Sequence, residues 1–380
     1  MKQVKLYSPG KVTFGVGSFK NLPADLIELN AKRVFVLTFQ EIHAAINPVL
    51  SDIKLSGIEV KEDLSVRQEP TVSDFNRVFE SVEQFNPDLI LGIGGGSVLD
   101  VAKLVAALVN NKQTISEIFG ISQLKSRSLK LVCVPTTSGT GSEMSPNAIL
   151  LDENENLKKG IVSPFLVSDL TCIDPELTLS VPKSVTATTG IDAFTHCMEA
   201  YINKFSHPLV DTFALDGMKL IYKNLKKTVE NGEDLEARSA VALGSMYGGM
   251  CLGPVNTTAI HALSYPLGSE FHIAHGLSNA LLLTSVLEFN REVAIERYSV
   301  MARTIGIDEK DNEKASLKFI EAMKKWLKDL NIPVGIAAIN IPKEAIPQMA
   351  QAAITVQRLL KNNPREVTLN DAVHIYENAY

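Results

Sequence analysis

The hydrophobic pattern changes character halfway along the chain. In the first half, short continuous apolar runs alternate with amphipathic stretches. Arg33 to Thr38, Leu89 to Ile93 and Leu131 to Val134 have no polar face, which predicts strands buried on both sides. Between the first two, Asp74 to Phe85 places Phe75, Val78, Phe79 and Val82 at helical spacing. Such strands separated by helices predict a parallel sheet with crossovers, in which ligands gather at the carboxyl ends of the strands.

From residue 185 onward the strand signal mostly disappears. Leu209 to Glu230, Leu235 to Cys251, Glu292 to Ile305, Lys314 to Leu330 and Lys343 to Leu360 read as helices, with prolines mainly between them. The expected class is α/β plus all-α: a Rossmann-like parallel-sheet domain over residues 1–180, then an all-helical domain over 181–380. The boundary falls in Asp174 to Pro182, where two prolines end the α/β pattern. No internal repeat or low-complexity segment interrupts either half.

Two loops interrupt the strand pattern in a chemically specific way. Gly94-Gly95-Gly96-Ser97 follows a strand and opens a helix, so backbone can approach a diphosphate without Cβ clashes and the helix start offers free N–H groups. Ser97 as N-cap with Asp100 three residues on predicts a capping box. The dinucleotide fingerprint is imperfect, because Ser97 stands where the third glycine belongs, and no Walker motif is present. A tight βα turn is the plain alternative. The next strand ends in Pro135-Thr136-Thr137-Ser138-Gly139-Thr140-Gly141-Ser142, whose hydroxyls and glycines suit phosphate, ribose or carboxamide groups. Two such loops fit an elongated dinucleotide better than a single phosphate.

The helical half holds the other chemistry. Asp192 and His196 are four residues apart and project from one helix face. His261 and His275 flank Pro266, Gly268 and Gly276, so the second can return toward the first from another element. Together these four offer one carboxylate oxygen and three imidazole nitrogens, a donor set for Fe(II), Zn(II), Co(II) or Ni(II) rather than Ca(II) or Mg(II). Taken singly, each histidine reads more readily as a satisfied polar residue near a helix end, and only the four as a set point to a metal.

Composition narrows the partners. Hydrophobic residues make up 45% and charged residues 21% of 380, an ordinary globular balance with room for two domains. A net charge of -6 without basic blocks disfavours nucleic acid. Cys133, Cys172, Cys197 and Cys251 have no C-x-x-C spacing, which favours reduced thiols and core packing. No apolar run is long enough for a membrane span and the N-terminus lacks an apolar h-region, so the expectation is a cytoplasmic protein with no membrane partner.

His261 followed by His275 in His-Gly-x-x-Asn-Ala, and Gly190 to Tyr201 upstream, resemble the iron-containing (group III) alcohol dehydrogenase family. Gly94 to Lys103, Pro135 to Glu143 and Asp174 to Thr178 extend the resemblance through most of the chain. It implies a dehydroquinate synthase-like architecture and Asp192, His196, His261 and His275 as ligands of a divalent metal, Fe(II) or Zn(II). It places Gly94, Gly95, Gly96, Ser97 and Asp100 on the pyrophosphate side of NAD or NADP, and Thr136, Thr137, Ser138 and Thr140 on the ribose and nicotinamide side. Lys158 or Lys159 would add positive charge and Leu177 a packing surface; the lysine pair reads equally as a solvated turn over Glu153 to Gly160. At Thr38-Phe39-Gln40 neither an acid excludes a 2′-phosphate nor an arginine recruits one, and the missing cation leans toward NAD.

One position departs from that family. Members usually carry a second histidine four residues after the first, and here Tyr265 stands there. Tyr265 and His272 are the candidates for proton transfer, Tyr265 also being able to pack its ring on Pro266 and Phe271. The implied reaction is reversible hydride transfer between a small primary alcohol or aldehyde, with or without a polar or anionic tail, and nicotinamide. Alternatives are a glycerol-1-phosphate dehydrogenase or dehydroquinate synthase-like enzyme, and a metal-dependent hydrolase. A homodimer or higher homo-oligomer follows from the resemblance.

Overall fold

A computed structural model describes residues 3–67, 69–155 and 157–380. Two compact units divide the chain, Leu6–Val181 and Pro182–Tyr380, the second taking in a short N-terminal stretch ending at Lys5.

The first unit alternates β1 (Lys11–Phe14), α1 (Leu22–Glu28), β2 (Arg33–Leu37), α2 (Gln40–Leu55), β3 (Glu59–Asp63), α3 (Val72–Phe85), β4 (Leu89–Gly94) and α4 (Gly96–Leu108). Then come β5 (Gly120–Ile121), β6 (Lys130–Pro135), β7 (Asn147–Asp152), β8 (Leu157–Val162) and β9 (Leu170–Ile173). Six strands form a parallel sheet in the order β1-β9-β6-β4-β2-β3. Their apolar runs serve two cores at once, because successive side chains point to opposite faces. Phe35, Leu37, Ile90, Leu131 and Cys133 join one core with residues of α3 and α4. Val34, Val36, Leu89, Leu91, Val132 and Val134 join the other with residues of α1 and α2. The α3 helix buries Phe75, Val78 and Val82 as its spacing predicts, and a Thr71–Asp74 capping box starts it.

A second, three-stranded sheet, β5-β8-β7, was not evident from the apolar runs. Its β7–β8 pair is antiparallel and places Lys158 and Lys159 on a strand, not in the turn that their charges suggested. Their side chains are neutralised there: Lys158 Nζ lies 2.6 Å from Glu69, and Lys159 Nζ 2.8 Å from both Asp152 and Glu155.

The second unit contains α5 (Lys183–Ile202), α6 (Pro208–Glu230), α7 (Leu235–Leu252), α8 (Ala259–Phe271), α9 (His275–Thr304), α10 (Asn312–Asp329), α11 (Ile346–Ile354), α12 (Gln357–Leu360) and α13 (Leu369–Asn378). Among the described residues it has no strand. The helix expected to begin at Glu292 begins at His275; non-helical backbone at Ala294 marks a kink inside one long element. The helix expected over Lys343 to Leu360 is broken into a 3-10 turn, α11 and α12, since Val356, at ψ 51°, leaves helical geometry.

Long α5 is buried along most of its length and packs on α6, α7 and α9. Gly276 fixes the approach of α9: a Cβ there would stand 2.3 Å from the Thr188 carbonyl oxygen and 3.4 Å from the Asp192 Cβ. Only a residue without a side chain lets the first turn of α9 reach α5 beside Asp192.

Candidate metal centre and cofactor loops

Three helix segments converge in the second unit. Asp192 and His196 lie one turn apart on α5, His261 sits in the first turn of α8, and His275 opens α9. Asp192 Oδ1 is 3.4 Å from His261 Nε2, 3.6 Å from His275 Nε2 and 3.8 Å from His196 Nε2. All four ligand atoms lie within 4.8 Å of one another. Bonds of about 2.1 Å to one ion put tetrahedral ligand atoms about 3.4 Å apart, so these separations fit a shared transition-metal ion.

The surroundings orient the donors toward one point. Glu199, fully buried on α5, lies with Oε2 2.6 Å from His261 Nδ1, while its Oε1 accepts from the Thr258 hydroxyl at 2.6 Å and the Ile260 N–H at 2.7 Å. With Nδ1 so engaged, His261 turns Nε2 toward Asp192. Asn279, one turn after His275, donates to Asp192 Oδ1 at 2.7 Å. Burial by itself would raise Asp192, but the imidazoles of His196, His275 and His261 hold it well below the carboxylate range. Burial likewise opposes ionisation of Glu199, and His261 overcomes it. His261 moves the other way: burial lowers it, and Glu199 with Asp192 raises it to about 10. A cation entering this cluster therefore displaces a proton.

Tyr265, one turn after His261, is nearly buried; its ring centre is 6.4 Å from that of His275 and its hydroxyl accepts from Arg358 Nη2 at 2.9 Å. His272 caps α8 in the left-handed conformation, φ 55°, with an exposed side chain. It lies at the helix end.

In the first unit the two polar loops are neighbours because β4 and β6 pair in register, Gly94 opposite Pro135. A Cβ on Gly96 would stand 2.6 Å from the Thr140 side chain, so any larger residue would displace Thr140 where the loops touch. Gly95, Gly96, Ser97, Thr137, Ser138 and Thr140 are partly exposed there. Thr136 is buried, and its Oγ1, like that of Thr38 at the end of β2, has no hydrogen-bond partner among the described residues. Orphaned hydroxyls and bare backbone at adjoining strand ends fit a polar ligand.

The capping box expected at the first loop needs correction. Ser97 does not cap α4; Gly95 holds the N-cap position and no side chain caps it. Asp100 consequently faces inward, accepting from the Ser142 hydroxyl and, at 2.9 Å, from the Ile149 N–H. Through these bonds it supports the second loop. Its partner Lys103, unremarked in the sequence, is fully buried and donates to Ser142 Oγ at 2.7 Å, Asn147 O at 2.8 Å and Ser145 O at 3.0 Å. Leu177 belongs to the core beneath β9.

Glu199, Asn279, Lys103 and Arg358 are the residues that sequence reasoning missed. Helical spacing was the available signal for two of them: Glu199 follows His196 by three positions, and Asn279 follows His275 by four. The four cysteines are free and buried, as their spacing predicts. No helix among the described residues is long and apolar enough to cross a membrane.

Comparison with known proteins bears on the whole chain. Residues 9–175 match the family described as iron-containing alcohol dehydrogenase, and residues 186–380 the C-terminal part of the Fe-containing alcohol dehydrogenase family. Long-chain-alcohol dehydrogenase 1 of Geobacillus thermodenitrificans is 33% identical over 387 aligned positions, covering 100% of this chain and 98% of the relative. Sulfoacetaldehyde reductase of Bilophila wadsworthia is 31% identical, covering 98% and 97%. Alcohol dehydrogenase from Oenococcus oeni superposes with a TM-score of 0.96 at 30% identity over 100% of both chains. Its sequence, fold and clustered metal donors place this chain in the iron-containing alcohol dehydrogenase family, as an NAD(P)-linked, metal-dependent oxidoreductase.

Proposed function

We propose that the chain interconverts a small primary alcohol and its aldehyde, with Asp192, His196, His261 and His275 holding one Fe(II) or Zn(II) ion. The observation that carries this reading is the approach of three imidazole nitrogens to a single oxygen of Asp192. An ion held there supplies Lewis acidity, and the nicotinamide gives or accepts the hydride. Glu199 aims His261, and Asn279 fixes the Asp192 carboxylate. Tyr265, its hydroxyl oxygen accepting from Arg358, keeps its own O–H to exchange a proton with the substrate oxygen or a water.

In the α/β unit, Gly95, Gly96 and Ser97 receive the diphosphate, and Thr137, Ser138 and Thr140 the ribose and carboxamide, while Asp100 and Lys103 hold the second loop in shape. NAD is preferred, since no cation stands at Thr38-Phe39-Gln40. A homo-oligomer and a cytoplasmic location complete the reading, the latter supported by four buried free thiols. The test is a panel of small aldehydes assayed with NADH and NADPH after loading with Fe(II) or Zn(II). Chelator-sensitive reduction is expected; loaded protein that binds no nicotinamide nucleotide would remove the proposal.

A further inference from the structure

Arg358 stands out among the arginines of the helical unit. Arg291, Arg297 and Arg365 face carboxylates, and Arg238 and Arg303 donate to backbone carbonyls. The Arg358 guanidinium has neither: among the described residues its side chain makes one hydrogen bond, to the Tyr265 hydroxyl at 2.9 Å, and no Asp or Glu oxygen lies within ion-pair distance. A guanidinium has five N–H donors in a planar fork, so most of its capacity is unspent although it is partly buried.

Its position is fixed. Short α12 carries it, and buried Asn362 ties that helix to the start of α8 by donating to the carbonyls of Arg358 at 3.3 Å and Thr257 at 3.0 Å. The next residue, Asn363, exchanges amide bonds of 2.7 and 3.0 Å with Asn290 on α9. Arg358 is thus held against Tyr265, whose ring neighbours His275 of the metal centre. Partly desolvated, fixed and lacking a counter-ion, it is poised for an anion that arrives with the substrate.

We propose that Arg358 is a substrate-binding residue forming an anion subsite beside the metal centre, and that the preferred substrate is a small aldehyde or alcohol ending in a carboxylate, sulfonate or phosphate. The inference rests on the reading of the centre given above. Tyr265 then borders both ends of the substrate, with its oxygen toward Arg358 and its ring toward His275.

The experiment compares, in the metal-loaded enzyme with NADH, short aldehydes matched in length but ending in a methyl group or in an anionic group. The wild type should favour the anionic member in kcat/KM, mainly through KM. In Arg358→Gln the ratio of anionic to neutral kcat/KM should fall roughly 10- to 100-fold, the size of a lost hydrogen bond to a charged group. Arg358→Lys should recover part of it, keeping the charge without the fork. As a check independent of any variant, a short alkanesulfonate should compete with the neutral aldehyde in the wild type. A wild type that prefers neutral aldehydes, a ratio unmoved by Arg358→Gln, or no competition by the sulfonate each overturns the subsite and leaves the dehydrogenase reading standing. Reduction of no aldehyde of either kind overturns both.

Discussion

Glu199 Oε2 lies 2.6 Å from His261 Nδ1, and the opposite ring nitrogen, Nε2, lies 3.4 Å from Asp192 Oδ1. One imidazole thus bridges a carboxylate that orients it and a carboxylate that shares its task. Ionised Glu199 accepts the proton on Nδ1, so the proton that an entering metal displaces is the one on Nε2. Glu199→Gln can present an N–H to Nδ1 instead and favour the opposite tautomer, with the proton on Nε2. Metal affinity, followed by competition with a chromophoric chelator, should fall about 10- to 100-fold. An unchanged affinity would assign Glu199 to packing alone.

The start of α9 depends on a contact that tolerates no added atom. Gly276→Ala places a methyl group 2.3 Å from the Thr188 carbonyl oxygen, so the first turn of α9 must retreat from α5 and carry His275 with it. Overpacking of this kind costs about 1–3 kcal/mol. The sharper readout is the metal: the thermal shift on adding Zn(II), clear in the wild type, should shrink in the variant. A full-size shift would mean that His275 is not a ligand.

How much of this was legible beforehand follows from what each residue answers to. Strands β2, β4 and β6 announced themselves because two cores demand apolar residues on both faces. The second sheet did not, because Lys158 and Lys159 carry charges whose partners, Glu69 and Asp152, are brought to them by the fold. The metal donors were readable because imidazoles are rare and Asp192 and His196 share a helical face; the buried acid behind them resembled any polar residue of a long helix. Ser97 misled because a serine followed at three positions by an acid has the capping pattern, while the backbone gave the cap to Gly95. Arg358 lies far along the chain from Tyr265, and no local pattern links them.

Lys103 is a second place where burial raises the stakes. Three acceptors, Ser142 Oγ and the carbonyls of Ser145 and Asn147, depend on its ammonium, and Asp100 stands 4.0 Å away. Lys103→Met keeps the volume and strands all of them, so a loss of about 3–5 kcal/mol is expected from breaking a buried charged network. The loop it supports should loosen as well, raising KM for NADH more than it lowers kcat. Adding Asp100→Asn removes the orphaned charge and should return part of the stability. Equal losses in the single and double variants would deny the coupling.

The same loop holds a carboxyl whose titration can be followed directly. Glu143, in the 3-10 turn after Thr140, is buried; burial pushes it from its ordinary 4.5 up to about 7, with its own backbone N–H and Lys103 pulling it only partly back. The unfolded chain releases this proton near 4.5 and the folded chain near 7, so within that window the folded state binds more protons than the unfolded one. Stability must therefore fall as pH rises from 4.5 to 7 and be level with respect to this group on either side. The difference of about 2.5 units corresponds to about 3 kcal/mol. Glu143→Gln removes the titration, so the variant should match the wild type near pH 4.5 and exceed it by up to that amount above pH 7. Hydrogen exchange over residues 130–173 reads the α/β unit by itself, whereas the single tryptophan, Trp326, lies in α10 of the helical unit. Wild-type and variant protection curves that stay parallel from pH 4.5 to 8 would show that Glu143 titrates alike in the folded and unfolded chain.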